Sequence, residues 1–120
     1  SIAFDVSLGE GNVVMAGATI NTSSKIGNHC ILNTNCSVDH DNNLLDFSSL
    51  APNAVTAGNV KVGEFSAIGI SASILQNISI EDNCIIGAGS MVNKNTKSNS
   101  VYFGTPAKFV RDHTLGQKYL

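Results

Sequence analysis

The stretch VGEFSAIGISASILQNISIEDNCIIGAGSMV, residues 62–92, carries an aliphatic residue at every sixth position. Continued towards the start of the chain, the same phase begins at Ile2, and fifteen of its sixteen positions are Val, Ile or Leu. Only Thr56 departs from it. Since these three residue types make up 29 of the 120 residues, chance would place about four of them on one phase. The sequence is therefore built from one short repeated unit.

The other phases of the hexad are also selective. The position after the aliphatic residue is often Gly, Asn or Asp, which tolerate unusual backbone angles, so we predict the bends there. Four positions after the aliphatic residue the side chain is mostly small, as expected where a corner closes on a narrow interior. The first set is Gly9, Asn21, Gly27, Asn33, Asp39, Gly63, Gly69, Gly87 and Asn93, and the second is Ala18, Ser24, Cys30, Cys36, Ser48, Ala54, Ser66, Ala72, Cys84 and Ser90.

A hexad made of a short strand and a bend can bury its aliphatic residue only by stacking coil upon coil. This predicts an all-β fold, a parallel β-helix, with residues 2 to 97 in frame and no loop out of frame. We therefore predict a β-helix domain over 1–97 and a C-terminal cap or tail over 98–120. Within the tail, KFVRDHTLGQKYL has the pattern of a short amphipathic helix or a cap.

Composition limits the classes of function. The apolar content of 42% is enough for one core, whereas 13% charged residues and a net charge of -2 offer no basic field for nucleic acid. No apolar run approaches the roughly 20 residues that cross a bilayer, and no signal peptide is visible, so we expect a soluble, cytoplasmic chain. The chain begins at Ser1 without methionine, which leaves an upstream domain open.

The three cysteines, Cys30, Cys36 and Cys84, all fall on the small inward phase. No CxxC pair is present, which disfavours metal ligation. The prediction is buried free thiols in a reducing compartment.

The repeat resembles the hexapeptide-repeat transferases, which implies three hexads per coil and a left-handed triangular prism. A closer resemblance rests on NT-x-CSVDHD, on AP-x-A-x-x-AGNVKVG and on the G-x-PAK segment near the end. These motifs are similar to the family of sialic acid O-acetyltransferases and bacillosamine-pathway UDP-4-amino-sugar N-acetyltransferases, and the similarity covers nearly the whole chain. With 18 residues per coil, Cys30 and Cys84 lie three coils apart, roughly 14 Å and too far for a disulfide.

The most distinctive local feature is Asp39-His40-Asp41, which the hexad places at a corner, with His40 and Asp41 on the outside. One coil of 18 residues places Gly58 on the same phase as His40, where its N–H can donate to an oxyanion. The resemblance implies the same roles: His40 is the general base, Asp41 raises its basicity, and Gly58 supplies a backbone donor. The simplest alternative is a solvated polar turn.

The resemblance also implies an acetyl-coenzyme A site with contacts at Ser49, Ile70 and Ala88. Ser49 is a departure, because close relatives often carry a second histidine there. Lys108 and Arg111 are candidates to meet the coenzyme A phosphates, or belong to a solvated basic tail. Family members usually carry an N-terminal α/β domain that binds a nucleotide-sugar, and they assemble as trimers with the cofactor groove between neighbouring prisms.

These observations predict an acetyl-coenzyme A dependent sugar acetyltransferase that uses no metal. The expected acceptor is a nucleotide-linked 4-amino-sugar, with the hydroxyl of a sialic acid as the alternative. A zinc hydratase on the same prism would need three converging histidines, and the chain has only His29, His40 and His113. The remaining alternative is a non-catalytic β-helical scaffold that builds a trimer.

Overall fold

The computed structural model describes residues 1–117, which form seventeen strands and no helix. Fifteen of the strands are two residues long and recur every six residues, as the hexad predicts. The strands are β1 (Ser7–Leu8), β2 (Val13–Val14), β3 (Thr19–Ile20), β4 (Lys25–Ile26), β5 (Ile31–Leu32), β6 (Ser37–Val38), β7 (Asn43–Leu44), β8 (Ser49–Leu50), β9 (Val55–Thr56), β10 (Lys61–Val62), β11 (Ala67–Ile68), β12 (Ser73–Ile74), β13 (Ser79–Ile80), β14 (Ile85–Ile86), β15 (Met91–Val92), β16 (Ser100–Gly104) and β17 (Ala107–Asp112).

The strands form three parallel sheets, one on each side of a prism. Sheet A stacks β3, β6, β9, β12 and β15, sheet B stacks β1, β4, β7, β10 and β13, and sheet C runs from β2 through β5, β8, β11 and β14 to β16 and β17. In the hexad repeat, strands 18 residues apart pair in parallel, as in Ser37↔Val55 and Val38↔Thr56. This confirms the predicted parallel β-helix, with about five coils, and agrees with its left-handed form.

The aliphatic phase forms the core. From Ile20 to Val92 every residue on that phase is at most 3% exposed, including Thr56 at 0%. The small residues on the fourth phase are buried as well, which confirms their predicted place inside the corners. Leu8 and Val14 are partly exposed because they belong to the first coil, below which no further coil packs within residues 1–117.

The bends lie two positions later than predicted. The left-handed backbone conformation occurs three residues after the aliphatic residue, with φ between 53° and 62° at every non-glycine case from Ser23 to Asn83. The position directly after the aliphatic residue is instead restricted by space. At Gly69, for example, an added Cβ would lie 2.6 Å from the Ile86 carbonyl oxygen and 2.8 Å from the Ala88 nitrogen of the next coil.

The C-terminal segment is a β-hairpin, so the predicted amphipathic helix is wrong within the described residues. β16 pairs in parallel with β14 and extends sheet C, and β17 returns antiparallel beside it after a cis Thr105–Pro106 peptide. Tyr102 and Phe109 pack edge to face at 6.0 Å between ring centroids, and the Lys97 ammonium lies 4.2 Å from the Phe109 ring. Alternating aromatic and polar side chains favour this pairing over a helix. The end of the tail, 118–120, lies outside the described residues, and the boundary at residue 97 stays a prediction.

The three cysteines are buried and free, as predicted. Burial raises the pKa of the Cys36 thiol to about 11 and raises that of Cys84 as well. These thiols are therefore poor nucleophiles at neutral pH. The part of the chain that the structure describes holds no helix long and apolar enough to span a membrane.

Candidate active site

His40 lies at the corner where sheet A passes into sheet B, between β6 and β7; we call this the histidine corner. Asp39 Oδ1 accepts a hydrogen bond from the His40 backbone N–H at 2.8 Å, and Asp41 adopts the left-handed conformation with φ 56°. This turn brings Asp41 Oδ2 to 2.9 Å from His40 Nδ1. Both side chains remain accessible, at 55% and 58% exposure, so a substrate can reach them.

The pairing with Asp41 determines what the imidazole can do. A neutral His40 donates its Nδ1–H to the carboxylate, which leaves Nε2 as the proton acceptor. The hydrogen bond from Asp41 raises the pKa of His40 above its ordinary value of 6.5, the charges of Asp39 and Asp41 act in the same direction, and desolvation opposes them. The ring is therefore a stronger base than an isolated histidine and is stabilised once it is protonated.

Gly58 occupies the same corner one coil further along, as the spacing of 18 predicts. A Cβ at this position would overlap Nε2 and Cε1 of the His40 ring, so the imidazole lies directly against the Gly58 α-carbon. The Asn59 N–H donates to the His40 carbonyl at 2.9 Å and fixes the two coils together. No acceptor within residues 1–117 takes the Gly58 N–H, which stays available to a ligand beside the base.

Ser49, Ile70 and Ala88 line one groove of about 440 Å³, together with apolar residues of sheet C and the corner between sheets C and A. We call this the groove corner. Its floor is formed by Ala67 and Ile85 and its rim by Pro52, so it suits an extended, mostly apolar ligand arm. The three residues predicted to contact the cofactor thus lie together.

The structure does not bring the groove and His40 together within one chain. The groove follows the corner between sheets C and A, whereas His40 lies at the corner between sheets A and B. Sequence spacing does not reveal this separation, because it depends on which of three corners each hexad occupies.

Lys108 and Arg111 lie on β17 and are exposed. Arg111 Nη1 donates to the Asp112 carbonyl and to Gln117 Oε1, both at 3.3 Å. Neither basic residue lines the groove, so their predicted contact with phosphates stays a prediction.

The corner between sheets B and C carries a feature that the sequence analysis missed. The rings of His29, Phe47 and Phe65 stack along the prism, with centroid separations of 5.1 and 4.9 Å. A second cavity of about 380 Å³ lies beside this column, between Phe47, Phe65 and the segment around Leu115. Reading the chain in steps of 18 residues would have shown the column, since its members are one coil apart.

The histidines do not converge. His29 stacks on Phe47, His40 occupies a different corner, and His113 is buried near the C-terminal hairpin. Within residues 1–117 no three His, Cys, Asp or Glu side chains are placed to hold a metal ion.

Residues 59–94 match the protein family described as bacterial transferase hexapeptide, six repeats. This match falls on the stacked coils that carry Gly58's neighbours and most of the groove. The chain is a member of the hexapeptide-repeat family.

Solved structures of other hexapeptide-repeat proteins resemble it over most of its length. A mutant of perosamine N-acetyltransferase from Caulobacter crescentus, in complex with CoA and GDP-perosamine, is 38% identical with a TM-score of 0.91, covering 92% of this chain and 53% of that one. The acetyltransferase domain of PglB from Neisseria gonorrhoeae, in complex with acetyl coenzyme A, is 32% identical with a TM-score of 0.88, covering 91% and 53%.

Among curated proteins, an acyl-[acyl-carrier-protein]–UDP-N-acetylglucosamine O-acyltransferase from Pseudomonas entomophila is 29% identical over 104 residues, which is 87% of this chain and 33% of that protein. The chain therefore spans about half of the two solved structures and a third of this curated relative.

Proposed function

We propose that this chain carries out acetyl transfer from acetyl-coenzyme A to the amino group of a nucleotide-linked 4-amino-sugar. The observation that carries the proposal is the placement of the His40 ring, paired with Asp41, against Gly58. The two similar structures bound to CoA or acetyl coenzyme A, one of them also bound to GDP-perosamine, support the same donor and acceptor class.

The chemistry follows from the atoms at the histidine corner. The acceptor amine attacks the thioester carbonyl while His40 Nε2 takes its proton, and the Gly58 N–H donates to the oxyanion that forms. Collapse of the tetrahedral intermediate breaks the carbon–sulfur bond and releases the coenzyme A thiolate, which recovers a proton from the imidazolium. Asp41 stabilises that imidazolium throughout.

The separation of the groove from His40 is consistent with a site completed by a second copy of the chain. We propose that the donor lies along the groove corner of one copy and presents its thioester to His40 of a neighbour, in a homotrimer. Exposed apolar side chains at 41% for Val55 and 46% for Ile31 flank this region and would be covered by such contacts. The low content of charged residues fits the same assembly.

The direct test is thiol release from acetyl-coenzyme A with a panel of nucleotide 4-amino-sugars and sialic acid. We expect acceptor-dependent release that falls by about a hundredfold or more in His40→Ala. His29→Ala is the matched control, because His29 is exposed at another corner, and it should retain full activity. Release with sialic acid alone would shift the acceptor to a hydroxyl, and no release with any acceptor would contradict the proposal.

The shared site can be tested by complementation. His40→Ala keeps an intact groove, and Ala88→Trp keeps an intact base but narrows the groove. At limiting acetyl-coenzyme A each variant alone should be nearly inactive, while co-expressed mixed trimers should recover part of the activity. A mixture no more active than its parts, or a monomer in sedimentation equilibrium, would contradict a site between copies.

A further inference from the structure

Asn42 is a polar residue inside the prism, directly beneath the histidine corner. It is 2% exposed and lies on the fourth phase of the hexad, where most side chains are small or apolar. Its Nδ2 donates two hydrogen bonds, to the His40 carbonyl at 3.0 Å and to the Ala57 carbonyl at 2.9 Å. One amide thus joins the backbone that carries His40 to the backbone that precedes Gly58.

One of these two bonds is a regular feature of the fold. Inward polar side chains on the fourth phase donate to a carbonyl 15 residues ahead, as Ser24 Oγ does to Asp39 at 2.9 Å and Ser66 Oγ does to Glu81 at 2.6 Å. A hydroxyl is sufficient for this bond. The additional bond of Asn42 to its own corner, at the His40 carbonyl, needs a second donor hydrogen and therefore an amide.

Stability of the coil does not require the amide. The next residue in the same interior column is Val60, followed by Ile78, both buried, so an apolar side chain fits this position in the fold. Asn42 Oδ1 has no hydrogen-bond partner among residues 1–117, which makes the buried amide costly. What Asn42 provides and valine does not is the pair of bonds to the His40 and Ala57 carbonyls.

Those bonds act on the peptide that orients the catalytic pair. The His40 carbonyl belongs to the peptide that leads into Asp41, whose left-handed φ of 56° sets the position of the carboxylate beside Nδ1. We propose that Asn42 is a positioning residue, whose side-chain amide holds the His40 and Gly58 coils in the register that places the imidazole against the Gly58 α-carbon. The inference rests on the proposed function for its kinetic consequence, and on geometry alone for its structural one.

Two substitutions separate the bonds. Asn42→Ser can retain the regular bond to Ala57, as Ser66 makes with Glu81, while it loses the bond to His40; Asn42→Val loses both. We expect kcat to fall about tenfold in Asn42→Ser and about a hundredfold in Asn42→Val, with KM for acetyl-coenzyme A nearly unchanged, because the groove is untouched. Ser66→Ala is the matched control, since it removes the same regular bond at another corner, and its kcat should match the parent.

An NMR titration of the His40 ring provides a readout that does not depend on activity. Three histidines are assigned by their single substitutions, and the pKa of His40 is measured in each variant. The charged groups facing this ring are Asp39 and Asp41, and Gly58 above it carries none. When the corner relaxes, the Asp41 contact loosens, so the pKa should move down towards 6.5 in both Asn42 variants and stay in place in Ser66→Ala.

The outcomes distinguish this inference from the proposed function. A lowered His40 pKa in Asn42→Ser, in a chain without transferase activity, would support the positioning role while the proposed reaction fails. An unchanged His40 pKa and unchanged kcat in Asn42→Ser would overturn it, and so would losses equal to those of Ser66→Ala. If Asn42→Val does not fold, Asn42→Ser, which keeps the regular bond, decides the question.

Discussion

His40 and Gly58 are stacked one coil apart, and the imidazole occupies the space in which any side chain at position 58 would begin. The base and the neighbouring backbone N–H are therefore held by the same inter-coil geometry that builds the fold. A change of one hydrogen atom to a methyl group at residue 58 is enough to disturb it.

We predict that Gly58→Ala lowers kcat/KM by about a hundredfold with little loss of stability. The new Cβ would displace the His40 ring, which is a half-exposed side chain that can swing outward, while the backbone N–H of residue 58 is retained. Steady-state kinetics together with thermal unfolding measure the two effects. Gly69→Ala is the contrast, because there a Cβ meets backbone atoms of the next coil and the fold should be destabilised. Full activity in Gly58→Ala would show that the ring contact is not needed.

A pH prediction follows from the Asp41 contact. His40 must be neutral to accept a proton, so kcat/KM should fall as the pH drops through its pKa, which Asp41 holds above 6.5. Asp41→Asn removes the main cause of that shift, so the acid limb should move to lower pH, while the plateau falls because the imidazole is a weaker base. The profile is checked by kinetics and by NMR titration. Asp39→Asn, which removes only a charge, should move the limb less, and equal titration of His40 in wild type and Asp41→Asn would refute the assignment.

The hexad made the coil, the buried cysteines and the stacking of His40 with Gly58 predictable, because each depends only on a spacing of six or 18. The left-handed position was misplaced because Phe47 and Phe65 occupy it, and bulky residues are unusual there. Their stacking across coils offsets the backbone cost, which a single hexad does not show. The hairpin of β16 and β17 escaped for a similar reason, since its pairing with β14 is a contact between distant parts of the chain.

For the groove, we predict that Ala88→Trp raises KM for acetyl-coenzyme A about tenfold or more and changes kcat little. The indole would fill space between residue 88 and Ile70, whereas the histidine corner would keep its geometry. Thr34→Trp is the matched control, because it lies at the same corner three coils below residue 88 and outside the groove lining. Isothermal titration with coenzyme A measures the binding directly. An unaltered affinity in Ala88→Trp would place the donor elsewhere.

Thr56 interrupts the aliphatic phase one coil from His40, which suggests either a functional hydroxyl or a plain defect of the core. The structure favours the second, because Thr56 is 0% exposed in sheet A between Val38 and Ile74, and its hydroxyl has no hydrogen-bond partner within residues 1–117. We therefore predict that Thr56→Val raises the free energy of unfolding by about 1 kcal/mol and leaves activity unchanged.

Thr96→Val supplies the opposite expectation for the same chemical change. Thr96 is also buried, but its hydroxyl accepts a hydrogen bond from the Glu81 N–H at 3.1 Å and lies 3.4 Å from Cys84 Sγ. Its loss leaves a backbone donor unpaired, so the free energy of unfolding should fall by about 1 kcal/mol. Urea denaturation of both variants, with unchanged m values, checks the two signs. If Thr56→Val instead abolished activity in a folded protein, the Thr56 hydroxyl would have a role at the histidine corner that its burial in this structure does not predict.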